Sequence, residues 1–155
     1  MTTKKPILIL GIGNLILRDE GFGVHVVQRM ADMPLPPDVE VMDGGTMGLD
    51  LLYHIEGRKK VVAIDVVKAD SPPGTLYRFT DRDIEDHKGM MRSAHEIDFS
   101  YVLKTAERLG NKSDEVVFIG ITPQDIEVGI GLSPVLEEKI SQVIELVMKE
   151  IENRD

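Results

Sequence analysis

Apolar positions along this chain alternate between two regimes: short runs bounded by turn residues, and longer stretches with helical spacing. The runs Ile7–Leu10, Val39–Met42, Val61–Ile64, Leu76–Phe79 and Val116–Ile121 read as strands. Between the first two, Val24, Val27 and Met30 recur at helical spacing and predict a helix over Gly23–Met30. Leu49–Ile55 reads as a short second helix after a Gly-Gly turn, and Asp98–Leu109 as a third, ended by Gly110. Ser133–Ile151 is the longest. Ser133 stands at its cap, Pro134 at its first position and Glu137 close to the place of a capping-box acid. Val135, Leu136, Ile140, Val143, Ile144, Val147 and Ile151 form its apolar stripe. Strands alternating with helices predict an α/β fold: a single-domain three-layer sandwich over residues 1–155. Its mostly parallel twisted sheet has about five strands, with helices on both faces. The Pro-rich turn Asp70–Gly74 makes Leu76–Phe79 an edge strand outside the parallel order. Asp81–Ser93 is the least regular stretch and reads as a surface excursion leading into His95.

In an open α/β sheet, ligands bind outside the carboxyl ends of the strands. Three expected strand ends here carry acids. The first strand runs into Gly11-Ile12-Gly13-Asn14, with Asp19 and Glu20 just before a helix; the second stops on Asp43-Gly44-Gly45; the third stops on Asp65. An isolated strand-end aspartate is commonly a loop-capping residue. Three in one sheet repel one another unless a cation joins them. His95, in Ser93-Ala94-His95-Glu96, has no apolar pattern around it. Glu20, Asp65 and His95 would make a mixed oxygen and nitrogen set, suited to a borderline divalent metal such as nickel or zinc. No local spacing supports that set.

Other chemistries fit less well. A dinucleotide loop needs a third glycine where this chain has Ile16, and Asp19 and Glu20 would bring negative charge to the pyrophosphate. For Gly11 and Gly13 the plainer reading is a tight turn. His25, His54 and His87 read as structural, and Met90 and Met91 as flexible surface residues. Gly131-Leu132-Ser133-Pro134 lacks the second glycine of a nucleophile elbow. Asp19 is expected to cap the helix that starts near Gly21.

Charge and composition narrow the classes further. A net charge of −9 argues against nucleic acid and against an anionic membrane surface. The absence of cysteine removes disulfides, thiolate metal sites and cysteine nucleophiles together. No window approaches the roughly 18 apolar residues of a membrane span. The expectation is a cytoplasmic protein.

With these positions in hand, the chain resembles the hydrogenase maturation endopeptidases, which trim the C-terminus of the large subunit of nickel–iron hydrogenases. The resemblance runs from about Ile7 to Val147. Its most specific piece is Gly11 through Gly23, as Gly-x-Gly-Asn-x-x-x-x-Asp-Glu-Gly-x-Gly. Asp43-Gly44-Gly45-Thr46, Ala63-Ile64-Asp65, Ser93-Ala94-His95-Glu96, Gly120-Ile121-Thr122-Pro123 and Ile130-Gly131-Leu132-Ser133-Pro134 follow in the family's order. Ala94 stands where many relatives carry proline. The resemblance implies that Glu20, Asp65 and His95 are the metal-binding triad. Apart from it, Asp65 and Asp43 are the best-placed carboxylates for a general base. The resemblance also implies no permanent cofactor: nickel comes with the substrate, and zinc or cadmium can stand in the site in vitro. The implied partner is the precursor of a hydrogenase large subunit, met by a monomer. A non-proteolytic nickel-sensing chaperone and a dinucleotide-binding module are the alternatives.

Overall fold

The computed structural model describes residues 4–86, 92–93, 99–110 and 112–152. Its strands are β1 (Ile7–Ile12), β2 (Val39–Gly45), β3 (Lys60–Lys68), β4 (Leu76–Thr80), β5 (Arg92–Ser93) and β6 (Glu115–Ile121). Its α-helices are α1 (Phe22–Met30), α2 (Leu51–Ile55), α3 (Asp81–Asp86), α4 (Phe99–Arg108) and α5 (Pro134–Glu152). The sheet runs β2-β1-β3-β6-β4. The first four of these pair in parallel, and β4 closes the edge antiparallel to β6. The expected α/β sandwich with an out-of-order edge strand is what forms.

Strand alternation builds the layers. Ile7 and Ile9, Val62, Ile64 and Val66, and Val117, Ile119 and Ile121 send side chains to one face, where α1 and the stripe of α5 cover them. Their neighbours Leu8 and Leu10, Val61 and Ala63, and Val116 and Phe118 face the other way, under α2 and α4. A central parallel strand buried on both faces must be apolar at nearly every position, which explains the unbroken runs.

Three expectations about the elements are corrected. Strand β3 does not stop at Asp65. Its ladder with β6 continues through Val66 opposite Ile121, and its end pairs antiparallel with β5, Val67 facing Ser93. Asp65 is therefore a residue of the strand. Likewise β2 continues through Asp43 to Gly45, paired with β1 beyond the apolar run. The excursion after β4 is partly regular, opening with the short helix α3. There the Asp83 carboxylate accepts hydrogen bonds from the Thr80 amide at 2.9 Å and the Thr80 hydroxyl at 3.0 Å. Met90, Met91 and His87 lie outside the described residues.

Candidate active site

The loop after β1 owes its path to close backbone approaches. A side chain at Gly13 would bring its Cβ to 2.0 Å from the Glu20 carbonyl oxygen, and one at Gly23 to 2.1 Å from the Ile64 carbonyl oxygen. Only glycine permits either approach. The first folds the loop back on the 3-10 helix Arg18–Gly21; the second lets α1 begin against the middle of β3. The Asn14 amide donates to the Glu20 carbonyl at 3.1 Å and closes the loop. Glycine spacing thus brings Glu20 against the strand that carries Asp65, in contact with β3.

Both acids are buried. Asp65 Oδ1 accepts the Val66 amide at 2.7 Å. Among the described residues, no hydrogen bond or ion pair reaches the Glu20 carboxylate. Glu20 as a whole is 4% exposed, and its element contacts the strand that carries Asp65. His95 lies outside the described residues. The strand just before it is placed: Ser93 stands opposite Val67, two residues along β3 from Asp65. Among the described residues no three of His, Asp and Glu converge as a metal site, and Glu20 and Asp65 supply two acids on touching elements.

Asp43 is held apart from that pair. Strand β1 lies between β2 and β3, so Asp43 and Asp65 are separated by two strand spacings, about 10 Å. The Asp43 side chain is exposed, with Oδ1 accepting the Gly45 amide at 2.9 Å. Gly44 packs on Leu10 and Leu51, so the Asp-Gly-Gly end of β2 lies close against the sheet.

The group that sequence reasoning missed is the Asp19 side chain. It does not cap α1, whose first turn receives no side-chain hydrogen bond. It reaches across to the loop between β6 and α5. There Oδ2 accepts the Gln124 and Asp125 amides, each at 2.9 Å, and the Ser133 hydroxyl at 2.8 Å. Oδ1 accepts the Ser133 amide at 2.8 Å. The Ser133 hydroxyl is thus engaged by Asp19, and Glu137 pairs with Arg29 of α1. The same two loops are joined by a bridge between Leu17 and Gly129. No local motif signals this clamp. The only sequence sign is a second acid beside Glu20 whose partners lie more than a hundred residues away.

His25 of α1 has a buried Nε2 with no hydrogen-bond partner among the described residues. Burial lowers its pKa, partly countered by the Glu137 carboxylate and reinforced by Arg29. His25 packs between helices, consistent with a structural role.

A mostly parallel sheet whose first loop brings one buried acid into contact with the strand carrying a second defines an α/β protein with paired acids beyond its first strand. Comparison with known proteins specifies the class. Residues 24–150 match the hydrogenase maturation protease family model. The chain is 32% identical over 144 residues to the hydrogenase 2 maturation protease of Escherichia coli, covering 92% of this chain and 88% of that protein. It is 35% identical to a putative hydrogenase maturation protease of Methanocaldococcus jannaschii, over 96% of this chain and 97% of that one. The solved structure of the hydrogenase maturating endopeptidase HybD from Escherichia coli superposes with a TM-score of 0.86 at 31% identity, covering 94% of this chain and 91% of that one. The chain belongs to the hydrogenase maturation protease family and has the fold and enzyme class of its endopeptidases. No described helix is long and apolar enough to cross a membrane.

Proposed function

We propose that this protein removes a short C-terminal extension from the nickel-loaded precursor of a nickel–iron hydrogenase large subunit. It acts as a monomer in the cytoplasm. The observation that carries this is the juxtaposition of two acids, Glu20 at 4% exposure on a 3-10 turn in contact with β3 and the buried Asp65 on β3 itself. Such a pair has a use when a cation is brought to it. The cation arrives with the substrate. Glu20, Asp65 and His95 complete the coordination of nickel held by the precursor's cysteines, and without nickel that contact is lost and affinity falls. A mixed carboxylate and imidazole set suits a borderline divalent ion, and zinc or cadmium can stand in for it in vitro. The nickel is the substrate's own, so this reading assigns the protein no permanent cofactor.

The peptide bond then lies along the strand ends. The Asp43-Gly44-Gly45 end of β2 forms the floor on which an extended backbone rests. A carboxylate spent on a metal is a poor base, which leaves exposed Asp43 to take the proton from the attacking water. As the water oxygen bonds to the carbonyl carbon, the carbon–nitrogen bond breaks and the proton passes to the leaving amine.

Glu20→Gln, Asp65→Asn and His95→Ala are each expected to lower precursor trimming at least about a hundredfold while the far-UV spectrum stays native. Asp43→Asn lowers the rate while nickel-dependent binding persists. Wild-type trimming by all three ligand variants would remove the site from consideration. Binding of loaded precursor without any change in its length would instead assign a nickel-sensing chaperone.

A further inference from the structure

The loop that Asp19 clamps carries an unusual surface. Val128 is 81% exposed and Ile130 is 83% exposed, with Ile126 at 39%. Ile16, 59% exposed, lies on the partner loop. These residues are neighbours through the backbone. The Gly129 amide donates to the Ile16 carbonyl at 2.9 Å, and the Arg18 amide donates to the Gly129 carbonyl at 3.2 Å. Gly129 fits closely under the Arg18 guanidinium, which pairs with Asp125 at 3.6 Å. Single exposed aliphatic residues need no explanation, but four on two bonded loops make an apolar patch.

The patch is also held still. Asp19 takes four hydrogen bonds from the loop, and the residue next to it is Glu20. Any partner seated on Val128 and Ile130 is therefore registered against the acidic crevice through one buried carboxylate. Its charge disfavours a second copy as the natural occupant. Asp125 is already paired with Arg18, whereas exposed Glu127 has no ion pair among the described residues. In a symmetric pair the same acidic loop would meet itself, on chains that each carry a net charge of −9.

We propose that Ile16, Val128 and Ile130 form the docking edge for the protein substrate, receiving an apolar stretch of the precursor flanked by basic residues that face Glu127. This rests on the endopeptidase reading above. It adds a second point of attachment, outside the metal-seeking acids, that fixes where along the precursor the bond is cut.

The test uses the full chain with a cognate, nickel-loaded precursor. Val128→Ser combined with Ile130→Ser alters two side chains that are more than four-fifths exposed, so the unfolding midpoint is expected to stay at the wild-type value. The dissociation constant for the precursor rises at least tenfold, and kcat/KM falls by the same factor, with the loss carried by KM. Glu127→Lys weakens binding severalfold, most strongly at low salt. Unchanged affinity in the double variant would overturn the docking edge while leaving the protease reading intact. Wild-type protein that fails to shorten the precursor would overturn both. A wild-type dimer in sedimentation, broken by the double substitution, would assign the patch to a second copy and overturn the proposal.

Discussion

Asp19→Asn probes the joint on which the site's shape depends. The carboxylate is buried and accepts four hydrogen bonds, three at Oδ2 and one at Oδ1. An asparagine can keep its carbonyl at the Oδ2 position, facing the Gln124 and Asp125 amides and the Ser133 hydroxyl. Its NH2 must then face the Ser133 amide, donor against donor. Loss of that bond leaves a buried donor unsatisfied, at about 1–3 kcal/mol. The three remaining bonds fall from charge-assisted to neutral strength. Relief of the buried charge offsets part of this, so the net loss is about 2–4 kcal/mol. For a chain of this size that lowers the melting temperature by about 4–16 °C, from a total stability typically of about 5–15 kcal/mol. Urea unfolding followed by far-UV circular dichroism reads the change as a lower midpoint with an unchanged slope. A difference below about 0.5 kcal/mol would refute the clamp. Because Glu20 is the next residue, trimming should also fall more steeply than the folded fraction does.

Two further substitutions test the packing beneath the site. Gly23→Ala would push a Cβ to 2.1 Å from the Ile64 carbonyl oxygen and 2.6 Å from that of Ile12, both backbone atoms with little room to move. The loss should be about 3 kcal/mol by thermal unfolding, and a neutral result would mean that α1 does not rest on β3 as described. His25 has its pKa lowered by burial, so the unfolded chain binds a proton first as the pH falls. Its contribution to stability is present above about pH 6.5 and is lost as the pH drops from there through the folded value. The stability of the wild type should therefore fall relative to His25→Leu between pH 7 and pH 5, and parallel curves would contradict the burial of this ring.

The layers of the fold were legible because burial on both faces leaves a local trace: Ile7–Leu10, Val61–Ile64 and Val116–Ile121 are apolar at every position apart from Gly120. Strand ends were less so. At Asp65 the run turns polar while pairing with β6 continues, since a ladder depends on the neighbouring strand and not on the side chain. The two-residue strand β5 carries no signal of its own, being defined by the overhang of β3. In the site, the glycines of the first loop could be read as turn-formers, but which backbones they admit could not. For Asp19 the sequence offers only the helix nearest to it. Its partners at Gln124, Asp125 and Ser133 come from the far end of the chain, and only tertiary folding brings them within reach.

The central claim is that the Glu20 and Asp65 crevice reads nickel on a protein substrate and cuts beside it. Mass spectrometry of a cognate hydrogenase large-subunit precursor, nickel-loaded and nickel-free, after incubation with this protein tests it most directly. Loss of a short C-terminal peptide from the loaded form alone is the predicted result. Equal trimming of both forms would contradict the nickel check, and an unchanged mass of the loaded precursor would contradict the proposed cleavage itself.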